Sequence, residues 1–187
     1  MKKLIFISFL SLFIFLPGCA PIIIGVIAGS GAYYVSQKDF KKFNNDNAIT
    51  NDAMAKIKAD PELKRGAHIA VATKNREVLL IGEVSSPQQR FEAEKLMQNI
   101  GGIKRIYNAI TISGPISLLT QSSDGWITTK VKSDMAITKR LPSGKIKVVT
   151  QNGVVYLMGH VTEQQASMAT NIARRTAGVQ KVVKLFD

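Results

Sequence analysis

The strongest constraint on the fold is an internal repeat. Thr73-Lys74-Asn75-Arg76-Glu77-Val78-Leu79-Leu80-Ile81-Gly82-Glu83-Val84 is answered by Thr150-Gln151-Asn152-Gly153-Val154-Val155-Tyr156-Leu157-Met158-Gly159-His160-Val161. Asn, Val, Leu, Gly and Val recur at a constant offset. Downstream, Gly102-Ile103-Lys104-Arg105-Ile106-Tyr107-Asn108 is answered by Gly178-Val179-Gln180-Lys181-Val182-Val183-Lys184. Upstream, Lys56-Ile57-Lys58-Ala59-Asp60 aligns with Lys130-Val131-Lys132-Ser133-Asp134. Two copies of about 65 residues follow, each near the lower size limit for a core of its own.

Each copy reads as α-β-β-α-β. In the first, Asn51 or Asp52 is the expected cap of a helix with Ala53, Ile57 and Leu63 facing inward. His68 to Ala72 alternates as a strand, Lys74-Asn75-Arg76 turns, and Glu77 to Val84 returns. Asn152-Gly153 is the matching two-residue hairpin signal in the second copy. Ser86 and Pro87 open the next helix, with an expected stripe of Phe91, Leu96, Met97 and Ile100. Gly101-Gly102 ends it, and Ile103 to Ile112 forms the third strand. The fold class is α+β: in each copy, helices packed on a three-stranded mixed sheet. The expected domains are residues 48–113 and 124–187.

The region before the repeat concerns location. Lys2 and Lys3 precede an apolar run from Leu4 to Leu16, short for a membrane span, which takes about 20 residues, but suited to a signal-peptide core. Leu16-Pro17-Gly18-Cys19 closes it and holds the sole cysteine, which has no intramolecular disulfide partner. These four residues resemble a bacterial lipobox, which implies a signal peptide over 1–18, a lipid chain on Cys19 and a lipidated N-terminus and linker over 19–47. Ala20 then favours the outer membrane. The alternative is an uncleaved anchor formed by residues 4–28. Pro21 to Val35 is apolar and glycine-rich, and either lies in the membrane interface or packs on the folded part. Gln37 to Asn47 is polar and reads as linker.

The strands ending Leu-Ile-Gly-Glu-Val and Leu-Met-Gly-His-Val, the helix after each, and the Gly-Ile/Val opening of a basic and aliphatic strand resemble the BON domain. The tandem copies behind a lipobox are similar to dual BON-domain outer-membrane lipoproteins. The local match runs through Trp126-Ile127-Thr128-Thr129-Lys130-Val131, Tyr107-Asn108 and Asn152 to Gly159. The resemblance implies a non-enzymatic protein that supports outer-membrane integrity. It also implies binding of an anionic phospholipid membrane through the first helix of the second domain, concentration at division sites, and a link to the outer-membrane protein assembly machinery.

The residues themselves mark the same helix. Trp126, the only tryptophan, aligns with Asp52 of the first copy, so the second helix carries something the shared fold does not require. Asp124 is its expected cap and Gly125 its first residue. Ile127, Val131 and Met135 form the expected core stripe. Trp126, Lys130, Ser133 and Ile137 form a neighbouring stripe with Thr129 at its edge. An indole, a branched apolar residue and an ammonium suit a bilayer interface. The same residues also suit packing against the other domain. Lys130, Lys132, Lys139, Arg140, Lys145 and Lys147 cluster early in the second copy of a chain with formal net charge +12.

Such charge also suits nucleic acid, but the lipobox places the chain in the wrong compartment and no strand carries the aromatic pattern of an RNA-binding motif. His68 and His160 fall in expected strands, where structural roles predominate. No metal-ligand spacing, phosphate loop or nucleophile elbow is present, so no cofactor, metal or catalytic residue is expected. Two functions stay open: a lipid-binding module, and a protein-interaction adaptor with Trp126 buried against a partner.

Overall fold

The computed structural model describes residues 37–113 and 118–187, so the lipobox, the signal peptide and the glycine-rich segment lie outside the described residues. Two α-β-β-α-β units follow one another. The first is α1 (Gln37–Ala59), β1 (His68–Lys74), β2 (Glu77–Val84), α2 (Pro87–Gln98) and β3 (Arg105–Ile112). The second is α3 (Leu118–Ile137), a short 3-10 turn at Ser143–Lys145, β4 (Lys147–Gln151), β5 (Val154–Gly159), α4 (Glu163–Arg175) and β6 (Lys181–Phe186). The sheets run β1-β2-β3 and β4-β5-β6. In each, a hairpin makes the first pair antiparallel and a helical crossover makes the second parallel, giving the expected mixed sheet.

Strand β2 is buried at every position. Val78, Leu80 and Val84 pack under their own helices with Ile49, Ala53, Ile57 and Met97. Leu79 and Ile81 point the other way and meet Met158 of the second unit, with Tyr107, Ala109, Tyr156 and Leu185 around them. Each sheet therefore has one face on its helices and one on the other sheet. This explains the near-continuous apolar run Val78-Leu79-Leu80-Ile81, where a half-exposed strand would alternate. Polar groups rim the joint. Gln151 Nε2 and Asn152 Nδ2 donate to Glu83 Oε1 at 2.9 and 2.8 Å, and Lys104 Nζ donates to Asp187 Oδ2 at 3.0 Å. Val35–Asp187 is one compact unit containing every described core residue, and so carries its own core.

The first helix of each unit begins earlier than its cap signals indicate. Gln37 to Asn47, expected as linker, is the start of α1, and Asn51 and Asp52 lie inside the helix. Asp124 likewise lies inside α3 rather than capping it. The reason is that these aspartates serve a distant turn. Asp46 accepts from the backbone N–H of Asn75 and Arg76 at 2.9 and 2.8 Å. Asp124 accepts from those of Asn152 and Gly153 at 2.7 and 2.8 Å. Both turns place two successive residues at positive φ (Asn75 53°, Arg76 67°; Asn152 51°, Gly153 70°), the tight two-residue hairpin form that leaves N–H groups pointing outward to be capped. One turn further along, Thr50 Oγ1 and Thr128 Oγ1 bond the hydroxyls of Thr73 and Thr150 at 2.8 and 2.7 Å.

These matched contacts correct the repeat alignment over the first helices. Asp124 matches Asp46, so Trp126 matches Ala48, not Asp52, and Lys130 matches Asp52. The sequence alignment was displaced by four residues, about one helical turn, which leaves the apolar and polar faces almost superposed. Helix α2 begins as expected, with Ser86 capping Gln89 and Pro87 in the first turn. Its buried face is Gln89, Ala93 and Met97, with Ile100 just beyond, while Phe91 is 67% exposed. Gln89 takes the inward position because its amide is fully used, accepting from Ser85 N–H and donating to the carbonyls of Glu62 and Arg65. His160 lies just past β5, exposed, with Nδ1 3.6 Å from Asp187 Oδ1.

Candidate functional face on helix α3

Helix α3 divides cleanly. Ile127, Val131 and Met135 are at most 1% exposed and pack with Leu141, Val148, Val155, Leu157, Ala169 and Ala173, as the 3.6-residue period predicts. The neighbouring, outward stripe carries Trp126, Thr129, Lys130, Ser133 and Ile137, all exposed. Trp126 is 54% and Ile137 81% exposed, and the rise from one to the other is about 16 Å along the helix. Packing of Trp126 into the joint between the units, the alternative from sequence, is not what the structure has: that joint is made by the sheets.

The chemistry of the face is mixed. Thr129 Oγ1 donates to the carbonyl of Gly125 at 3.0 Å, which removes its proton from outward bonding. Lys130 Nζ bonds Asp134 Oδ1 and Oδ2 at 2.5 and 2.7 Å, an ion pair the sequence reading overlooked although its i, i+4 spacing was visible. Lys132, Lys139, Arg140 and Lys145 are exposed around the helix and the loop after it. Lys147 does not join them. It is half-buried and donates to the carbonyl of Thr73 in the first unit at 3.2 Å, and burial pulls its ammonium below the ordinary lysine range. A groove of about 300 Å³ beside the helix is lined by Asp124, Gly125, Thr128, Val148 and Thr150, but the Asp124 carboxylate and the Thr128 hydroxyl are committed to the hairpin and to Thr150.

The first unit is an internal control for this face. The residues matching Trp126, Thr129, Lys130, Ser133 and Ile137 are Ala48, Asn51, Asp52, Ala55 and Ala59, all exposed. The shared fold therefore asks for nothing large, apolar or basic there. An exposed apolar residue alone is ordinary. Two large ones on one helix face, beside lysines, where the sister helix has alanine and aspartate, are a feature of the second unit. Among the described residues no helix is long and apolar enough to cross a membrane, and no group of three or more His, Cys, Asp or Glu is placed to hold a metal.

Two small α+β units in tandem, joined through their sheets, with an exposed helix face that distinguishes the second, define the class of fold. The chain belongs to the BON-domain family, whose profile matches residues 45–114 and 123–187. It is 33% identical over 173 residues to Outer membrane lipoprotein DolP of Haemophilus influenzae, covering 92% of this chain and 90% of that protein. It is also 33% identical to the 21 kDa hemolysin of Actinobacillus pleuropneumoniae over 76% of this chain and 74% of that one. Osmotically-inducible protein Y of Escherichia coli is 32% identical over 75% of this chain and 71% of its own. The likeness to DolP extends beyond the two domains and supports an association with the outer membrane. These relatives indicate no catalytic family.

Proposed function

We propose that the chain is an outer-membrane lipoprotein, anchored by an acylated Cys19 and facing the periplasm, whose helix α3 reads anionic phospholipid and so supports outer-membrane integrity, including at the division site. The observation that carries this reading is the exposure of Trp126, the sole tryptophan, on a face shared with Ile137 and flanked by lysines. An indole with about half of its surface open to solvent suits headgroup depth, and ammonium groups beside it suit lipid phosphate. Each basic side chain near an anionic surface contributes about 1 kcal/mol within a Debye length. A multiply acylated cysteine is a stable anchor without help. The helix then supplies selectivity among lipids and orientation of the domains, not attachment.

The test uses Val35–Asp187 and the Trp126 signal. Anionic phosphatidylglycerol vesicles should shift the emission to the blue, reversibly at high salt, while zwitterionic phosphatidylcholine vesicles leave it unchanged. Absence of any shift on folded protein would refute lipid reading by α3.

A second reading is an adaptor for the outer-membrane protein assembly machinery. Phe91 on α2 of the first unit, 67% exposed and not used by the fold, favours it. Under this reading Phe91→Ala impairs outer-membrane protein assembly in cells while vesicle binding stays intact.

A further inference from the structure

We propose that Asp134 sets the anionic-charge threshold of the α3 face by occupying the Lys130 ammonium, an inference that rests on the lipid-reading assignment of α3. Lys130 is the residue of the outward stripe whose ammonium stands nearest to use by a phosphate, being next to Trp126 along the helix. Both oxygens of Asp134 already hold it, at 2.5 and 2.7 Å. The pair carries no net charge, so a weakly anionic surface gains less from Lys130 than it would from a free ammonium. Asp134 sits about 40° further round the helix, on the flank away from Trp126 and Ile137. Its side chain is 31% exposed against 48% for Lys130, so the bond also draws the ammonium off the plane of the two apolar residues.

The fold does not require an acid at this place. The matched positions of α1 hold the opposite order, Asp52 for Lys130 and Lys56 for Asp134, on a helix packed in the same way. The carboxylate of Asp134 has no other hydrogen-bond donor among the described residues, and the residue serves the helix through its backbone, whose carbonyl also accepts from Thr138 Oγ1. An i, i+4 pair on an exposed helix is weak, about a twofold effect on an equilibrium. A dense array of phosphates displaces such a partner; a sparse one does not. Asp134 thereby makes the face respond to surface charge density, not merely to the presence of a bilayer.

The test is a double-mutant cycle on Val35–Asp187, titrated with vesicles of increasing phosphatidylglycerol fraction in phosphatidylcholine and read by Trp126 emission. Asp134→Asn keeps size and helix propensity and frees Lys130. It should tighten binding at intermediate phosphatidylglycerol content about tenfold, about fivefold from removing one negative charge near an anionic surface and about twofold from releasing the ammonium, and move the onset to lower anionic content. In a Lys130→Gln background the gain should fall to about fivefold, the charge contribution alone, because the carboxylate then has no ammonium to withhold. An equal gain in both backgrounds means that Asp134 acts as a generic negative charge, and overturns the proposal. Wild-type binding that Asp134→Asn leaves unchanged overturns this inference alone. Failure of both proteins to bind phosphatidylglycerol overturns it together with the lipid-reading assignment.

Discussion

Asp124 Oδ1 accepts the backbone N–H of Gly153 at 2.8 Å while its other oxygen accepts that of Asn152 at 2.7 Å, so one buried helical carboxylate closes the β4–β5 hairpin of the second unit. Removing it leaves two N–H groups with no partner in a place water reaches poorly. Hydrogen bonds to charged groups contribute about 1.5–3 kcal/mol each, and orphaned donors add their desolvation cost. Asp124→Ala should therefore lower unfolding free energy by about 2–4 kcal/mol in urea titration, and Asp46→Ala should do the same through Asn75 and Arg76. A loss under about 0.5 kcal/mol for either would mean that the turn holds itself.

That aspartate also explains which parts of the fold sequence pattern reaches. The hairpins, the mixed sheets and the core stripe of α3 rest on signals contained within a dozen residues: Asn-Gly, a period of two, a period of 3.6. The true start of α1 is not contained in this way. Asp46 is in helix because its partners are thirty residues on, and a polar stretch whose polar groups are used at a distance looks like linker. The one-turn slip that set Trp126 against Asp52 has a similar origin, since a helical period is blind to shifts of four. Phe91 misled because Gln89, a polar residue, takes the inward place. On α3 the outward stripe was legible, but the state of its lysine was not, because whether Lys130 turns to Asp134 or to solvent depends on side-chain geometry that period alone does not encode.

A glycine near the end of each central strand is fixed by contact. A Cβ on Gly82 would run into the backbone carbonyl of His68, and one on Gly159 into that of Lys145. Both glycines also sit at positive φ, 124° and 152°, where a side chain is strained. Backbone cannot yield as a flexible side chain does. Gly82→Ala and Gly159→Ala should each cost at least about 3 kcal/mol, visible as loss of cooperative thermal unfolding or of soluble protein. A melting temperature within a few degrees of wild type would show that the strands part easily at this point.

Lys147 gives the joint between the units a pH dependence. Burial lowers its pKa, with Asp46 opposing and Lys132 and Lys74 adding to the effect. Its folded value thus lies below the unfolded value. Between the two the unfolded chain binds more protons, so stability rises with pH across that window, and the cost of burying the charge is fully present below the folded pKa. Removing the charge with Lys147→Met relieves this cost but gives up the bond to the Thr73 carbonyl. The stability of Lys147→Met relative to wild type should accordingly be most favourable near neutral pH and decline toward pH about 10. A difference that does not change with pH would place the ammonium in solvent, not in the joint.

The sister helix allows a test of sufficiency. If the outward residues of α3 are what a membrane recognises, then moving them to the same face of α1 should move recognition with them. Ala48 and Asp52 are exposed and match Trp126 and Lys130. Surface substitutions of this kind usually stay within about 0.5 kcal/mol of wild type, so the fold should accept them. In Val35–Asp187 carrying Trp126→Ala, binding of phosphatidylglycerol vesicles should be lost with the melting temperature unchanged, because the exposed Trp126 is not part of the core of its unit. Adding Ala48→Trp and Asp52→Lys to this variant should restore a salt-sensitive blue shift, now from the tryptophan in the first unit. Restored binding would locate recognition in the composition of one helix face. A variant that folds but does not recover would mean that the lysines and arginine around the end of α3, Lys132, Lys139, Arg140 and Lys145, are an indispensable part of the surface, since the loop after α1 sets Lys64 and Arg65 against Asp60 and Glu62 and so carries no net charge.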